Sequence, residues 1–338
     1  MKRNYNLDLI RIAACVAVLV LHIFGVEGGY VNTILYYLGT FGIPLFFMIS
    51  GYNMLAKKRS YHEILLKVVN IYLFLIILCI IYGSIYALLK KNNISVIFDI
   101  FIDIFSNKSN LGILWFMVAL SIIYLITPIL YNFRDNRKIV LSLVVISSLI
   151  FMSNIFLKKY SDFIIKDIIV QPLRLWTWIT YYLLGYNIRN NNILSRKNNP
   201  IFLVIITFIV VNYEYFIGKY IFGNLYAESF YDSLIIKIWI ILIWNYAMHI
   251  SIDKKLFNKI TVLSKATFCV YILQVILFSI IHNVIKIRTN VFINCSIFVL
   301  STIILFIISI LIGKTKILNR YFSLKIIGEK KWYVIYYI

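Results

Sequence analysis

Leu7–Val26, LDLIRIAACVAVLVLHIFGV, is twenty residues long and apolar but for Asp8, Arg11 and His22. Twenty mostly apolar residues are about what a helix needs to cross a bilayer, and the rest of the chain repeats the pattern. Of 338 residues, 62% are hydrophobic and 14% charged, and the mean hydropathy is +0.88. A soluble domain is roughly 45–50% apolar and about 25% charged, so composition excludes a soluble globule. With 25 Phe and 26 Tyr against 4 Pro and 13 Gly, it also excludes a disordered, collagenous or Gly/Pro-punctuated β chain. The four cysteines (Cys15, Cys79, Cys269, Cys295) lie in apolar runs, with no CxxC and no Cys/His pairing at metal spacing. They read as small buried apolar residues, so neither a disulfide framework nor a metal site is expected.

Similar apolar segments fall at roughly 7–26, 33–55, 68–89, 112–132, 139–157, 174–189, 201–218, 234–251, 263–285 and 291–313. The expected fold is therefore all-α: a polytopic membrane protein of about ten transmembrane helices, forming a single domain over residues 1–338. Assigning the connections alternately puts 22 of the 34 Lys and Arg residues on one side, including Lys57, Lys58, Arg59 and Lys67. By the positive-inside rule both termini are cytoplasmic. The net charge of +21 is then topological, and no nucleic-acid partner is expected. The Lys2-Arg3 start imitates a secretory signal, but no small-residue cleavage site follows Leu21 and Arg11 interrupts the apolar run, so an uncleaved first helix is expected. Soluble domains and fixed-period repeats are absent from this reading.

Ionisable groups inside a span cost roughly 2.5–3.5 kcal/mol each on insertion scales and mark functional sites. At 100° per residue, Arg11 and His22 lie about 20° apart on one helix face and about 16 Å apart along the axis. Asp8, three residues before Arg11, is placed to pair with it. Two readings of Asp8 and Arg11 stand at this point: a buried functional pair, or headgroup-zone residues with Arg11 snorkelling. His22 is either a proton-transfer group or a hydrogen-bonded structural histidine. His62 reads as solvated, and His249 and His282 as interfacial. Pro44 with Gly39, Gly42 and Gly51 permits a kink or a close helix approach. Trp115, Trp176 and Trp178 read as parts of an interfacial aromatic belt. Arg174 and Lys237 also fall within spans.

The segment Leu7-Asp8-Leu9-Ile10-Arg11-Ile12-Ala13-Ala14, with His22 eleven positions after Arg11, resembles the opening helix of the membrane-bound acyltransferase-3 family. Gly42-Ile43-Pro44-Leu45-Phe46-Phe47-Met48-Ile49-Ser50-Gly51-Tyr52 is similar to that family's Pro-x-Phe-Phe-x-x-Ser-Gly-Phe/Tyr signature. Leu114-Trp115-Phe116-Met117 with Tyr124 and Pro128, and Tyr182-Leu183-Leu184-Gly185, resemble later family phrases. Two positions depart from the pattern. The family's Arg-x-x-Arg pair is here Lys67-Val68-Val69-Asn70, and a phrase that commonly ends in His ends here in Gln274, which cannot titrate.

The resemblance implies transfer of an acyl group, acetyl from acetyl-CoA, to a hydroxyl of a cell-envelope glycan or its lipid-linked precursor in the plasma membrane. It implies His22 as general base, Arg11 oriented by Asp8 as the group that positions the donor, and Lys58, Arg59, Lys67 and Asn70 as the acyl-CoA binding set. The implied partners are the bilayer and the glycan acceptor; nothing in the sequence fixes an oligomeric state. The alternative reading is a transporter or flippase that exports a glycan or lipid-linked glycan, which ten helices with buried polar groups also suit. A purely structural subunit would not need Arg11 and His22 on one stripe.

Overall fold

The computed structural model describes residues 3–26, 28–90, 96–106, 110–161, 169–190, 198–223, 226–284 and 290–315. Twelve α-helices run along it: α1 (Tyr5–Ile23), α2 (Gly29–Tyr37), α3 (Gly42–Met54), α4 (Tyr61–Lys90), α5 (Val96–Ser106), α6 (Trp115–Phe133), α7 (Arg137–Ser161), α8 (Leu175–Asn190), α9 (Pro200–Tyr220), α10 (Leu234–Met248), α11 (Phe257–Val284) and α12 (Val291–Lys314). No strand occurs among the described residues. A bilayer interior offers no water to unpaired backbone groups, which leaves the helix as the form an isolated segment can take there. Asparagines close the exposed starts. Asn4, Asn199 and Asn290 each accept from the first backbone N–H groups of α1, α9 and α12.

All ten expected segments are helical, with three differences. Eight segments are long and apolar enough to cross a membrane, while α8 and α10, of 16 and 15 residues, are shorter. The second segment is not one helix but two, separated by the turn Leu38–Phe41. Pro44 sits in the first turn of α3, where its missing N–H is tolerated, and its ring opposes helical continuation through Thr40 four residues earlier. The third segment begins earlier than expected: α4 starts at Tyr61, so Lys67 and Asn70 lie inside a helix. The amphipathic helix α5 was also not anticipated, because two aspartates in eleven residues mask its apolar face.

Alternation of the ten segments brings Asn4 and Lys314 to the same end of the bundle. That end carries Arg3, Lys57, Lys58, Arg59, Arg137, Lys254 and Lys255 and is called the basic end below. Lys91, Lys108, Lys166, Arg196, Lys197, Lys286, Arg288 and the tail from Lys316 lie outside the described residues. The periphery is formed by helices such as α7, whose exposed Leu141, Val145, Leu149, Met152 and Phe156 recur every three or four residues. The centre is α1 and α3. α1 packs against α3, α10, α11 and α12, and nearly every residue of α3 is buried.

α3 and α8 cross at backbone distance. A Cβ on Gly51 would lie 1.7 Å from the Tyr182 carbonyl oxygen, and one on Gly185 would lie 2.0 Å from that of Met48. Small residues are what allow such an approach. Gly51→Ala is expected to destabilise the protein by at least the ~1–3 kcal/mol usual for overpacking, because backbone rather than a side-chain tip must move. A thermal melt in nanodiscs checks this, and a wild-type midpoint would show that the crossing relaxes freely.

Candidate functional site

The charged residues of α1 form a closed network rather than snorkelling. Asp8 and Arg11 are each 4% exposed. Arg11 Nη1 donates to Asp8 Oδ1 at 2.9 Å and to Ser264 Oγ of α11 at 2.8 Å. Ser264 Oγ in turn lies 2.8 Å from the same Asp8 oxygen, and Arg3 Nε reaches Asp8 Oδ2 at 2.6 Å. One carboxylate thus serves two guanidinium groups, and the cost of burying Arg11 is offset by paired charge and fixed hydrogen bonds.

The stripe read from the sequence faces α11 along its whole length. Beyond the Ser264 contact, Cys15 Sγ lies 3.6 Å from the Thr267 carbonyl oxygen. The His22 ring is half-buried 6.2 Å from that of Phe278. α1 and α11 run side by side in the same direction. Asp8 and Arg11 sit towards the basic end, His22 towards the other, and one continuous interface joins them.

The four residues expected to bind an acyl donor are divided. Lys58 is exposed, and Arg59 pairs with Glu63 at 3.8 Å while its Nε approaches the Met54 carbonyl at 3.4 Å. Lys67 and Asn70 are buried. Asn70 Nδ2 donates to the Leu66 carbonyl at 2.7 Å. The Lys67 ammonium lies 3.3 Å from Met54 Sδ and 5.6 Å from the Tyr124 ring centroid. Among the described residues no carboxylate comes within ion-pair distance of it, so it is a buried amine with weak partners.

The interior also carries polar capacity that the protein does not use. Ser50 Oγ, Tyr124 OH and both amide atoms of Gln274 are buried and make no hydrogen bond among the described residues. Tyr124 lies beside Ser50, within the electrostatic reach of both Arg11 and Arg59. Lys67, Arg59 and Arg11 are thus linked through Tyr124 in the basic half of the bundle. Gln274 lies on the α11 surface that also carries Ser264, Tyr271 and Phe278, within about 80° of arc. Ser50 and Tyr124 belong to the quoted motifs, yet nothing local in the sequence shows that their hydroxyls are left unsatisfied.

Elsewhere the structure corrects the reading. Trp115 and Trp178 are buried, not interfacial: Trp178 stacks on Phe47 with centroids 4.7 Å apart and meets Trp115 at 5.0 Å. Trp176 is half-buried and donates to Asp232 at 3.1 Å. Arg174 and Lys237 find partners that the sequence did not indicate. Asp232, 1% exposed, accepts from Arg174 Nη2 at 2.6 Å and from Thr177 Oγ1 at 2.7 Å, while Lys237 meets the Asp232 carbonyl. His62 and His249 are exposed, and His249 Nδ1 lies 2.9 Å from the Asn245 carbonyl. The His282 side chain lies outside the described residues.

No curated protein and no solved structure matches the chain. A family model does: the acyltransferase family 3 model, described as an acyltransferase domain, matches residues 4–314, which span α1 to α12 and contain both the Arg11 network and His22. The chain is a membrane protein of many helices and belongs to the acyltransferase-3 family.

Proposed function

We propose that the protein transfers an acetyl group from acetyl-CoA to a hydroxyl of a cell-envelope glycan or its lipid-linked precursor, in the plasma membrane, with the basic end facing the cytoplasm. The observation that carries this reading is the fixed, buried guanidinium of Arg11 on the basic side, with the buried hydroxyls of Ser50 and Tyr124 near it. Arg11 is immobilised by Asp8 and Ser264, Tyr124 stands within its electrostatic reach beside Ser50, and the buried amine of Lys67 lies over the Tyr124 ring. Preorganised cations and donors of this kind suit a phosphate-bearing donor and an oxyanion.

The chemistry follows from the two ends of the α1–α11 interface. Lys58 and Arg59 draw the CoA phosphates to the basic end, Lys67 and Asn70 hold them, and the pantetheine arm lies along α1. His22 takes the proton of the acceptor hydroxyl as its oxygen attacks the thioester carbonyl. The tetrahedral oxyanion collapses, the C–S bond breaks, and the thiolate leaves with a proton as free CoA. Metal plays no part in this reading. Purified protein in nanodiscs, given acetyl-CoA and envelope glycan, is expected to release free thiol in step with acetylated glycan.

Lys67→Ala is expected to raise the KM for acetyl-CoA by roughly ten- to a hundredfold, the range for a lost hydrogen bond to a charged group. The effect on kcat should be smaller, because a ground-state phosphate contact is uniform binding. Asn70→Arg, which adds a second cation with bidentate geometry, is expected to lower KM. Unchanged kinetics in both variants would remove Lys67 and Asn70 from the donor site.

A further inference from the structure

Glu214, on α9, belongs to none of these networks. It is 0% exposed, and neither carboxylate oxygen accepts a hydrogen bond among the described residues. The polar side chain that faces it is Thr40, also fully buried, whose hydroxyl lies close to the carboxyl without a well-formed hydrogen bond. Thr40 lies in the turn that splits α2 from α3. Its carbonyl is the one that residue 44 would bond in a continuous helix, and residue 44 is a proline with no N–H to give. The break thus sets the Thr40 hydroxyl next to the acid.

The titratable groups nearest Glu214 are phenols, Tyr37 from α2, Tyr213 from α9 itself, Tyr181 from α8 and Tyr231 from the connection before α10, with the Glu228 carboxyl on the far side of Tyr37 and Tyr231. No Lys, Arg or His pairs with it among the described residues. The nearby cations are committed elsewhere, Arg174 to Asp232 and Lys237 to the Asp232 carbonyl and Ser148. An isolated carboxylate in bilayer surroundings is too costly to leave unneutralised, and the donors at hand are all hard oxygens.

We propose that Glu214 and Thr40 form an intramembrane site for a monovalent cation, a proton or a sodium ion, seated at the break between α2 and α3. The site is separate from the Arg11 network and does not depend on the acyl-transfer reading.

The test uses dicyclohexylcarbodiimide on the purified full-length protein in detergent, with the modified peptide mapped by mass spectrometry. The reagent takes up a protonated carboxyl: the carboxyl oxygen bonds to the central carbon, the proton moves to a nitrogen, and an O-to-N acyl shift leaves a stable N-acylurea. Glu214 is expected to be labelled at mildly acidic pH in sodium-free buffer. Labelling that persists in excess sodium chloride identifies the proton as the ligand. Loss of labelling in sodium but not potassium chloride, with a rise in melting temperature, identifies sodium. E214Q, a neutral isostere, is expected to fold with a midpoint at or above wild type and to lose any sodium response. An unlabelled Glu214 in acidic, sodium-free buffer, or an E214Q protein that melts well below wild type there, overturns the proposal.

Discussion

His22→Gln is expected to lower acyl transfer by roughly 10²–10⁴-fold, the contribution typical of a general base, while leaving membrane insertion and the melting temperature near wild type. Glutamine keeps a hydrogen-bonding side chain but cannot take and return a proton. Arg11→Lys is expected to be severely impaired as well. Arg11 Nη1 serves Asp8 and Ser264 together from a rigid plane, which a flexible ammonium does not reproduce. Activity is read as thiol release coupled to glycan acetylation. Full transfer by His22→Gln would make the histidine structural and the proposed mechanism wrong. A wild-type protein that turns over no acyl-CoA yet moves lipid-linked glycan in vesicles would replace acyl transfer with export.

Asp232→Ala is expected to cost about 3–5 kcal/mol of stability, the usual consequence of removing one partner of a buried ion pair. The substitution deprives Arg174 Nη2, Trp176 Nε1 and Thr177 Oγ1 of their acceptor at once and leaves a 4%-exposed guanidinium beside the backbone of Glu228. The cluster ties the start of α8 to the connection before α10, at the end of the bundle opposite the Asp8 network. Replacing the pair together, Arg174→Met with Asp232→Leu, is expected to recover much of the loss, since no unpaired charge then remains. Thermal melts of the three proteins check this. An Asp232→Ala midpoint at the wild-type value would show that Arg174 is held by Gln171 and Glu228 alone.

What the sequence revealed was local. The Asp8–Arg11 pair is legible because residues three apart on a helix face one another, and the shared stripe of Arg11 and His22 follows from helical geometry. Ser264, the third member of the network, is 256 residues from Asp8, and no periodicity connects them. Asp232 escaped notice for the opposite reason. It lies just ahead of α10, where an aspartate reads as a solvated loop residue, so Arg174 and Lys237 stood out as intramembrane cations without visible partners. Trp115 and Trp178 were misplaced because a tryptophan near a span end fits an interfacial belt as well as a packed core, and the stacking on Phe47 that decides between them is tertiary. The helix break at Leu38–Phe41 was half legible: Pro44 signals a disruption, but its place four residues upstream depends on the packing of α2 and α3 as separate pieces.

The network around Asp8 also sets an order of events at birth. α1 leaves the ribosome well before α11: Ser264 follows Asp8 by 256 residues, roughly 13–50 s at ordinary elongation rates. Through that interval Arg11 must sit in or against the bilayer without its eventual neighbour. Asp8 and Arg3 are already present, so the nascent helix carries its own counter-charge into the membrane and waits for α11 to complete the assembly. Substitution of Asp8 would therefore strike the newborn chain before it strikes the finished protein. Its first symptom would be a misinserted amino terminus and low yield, ahead of any change in the purified molecule.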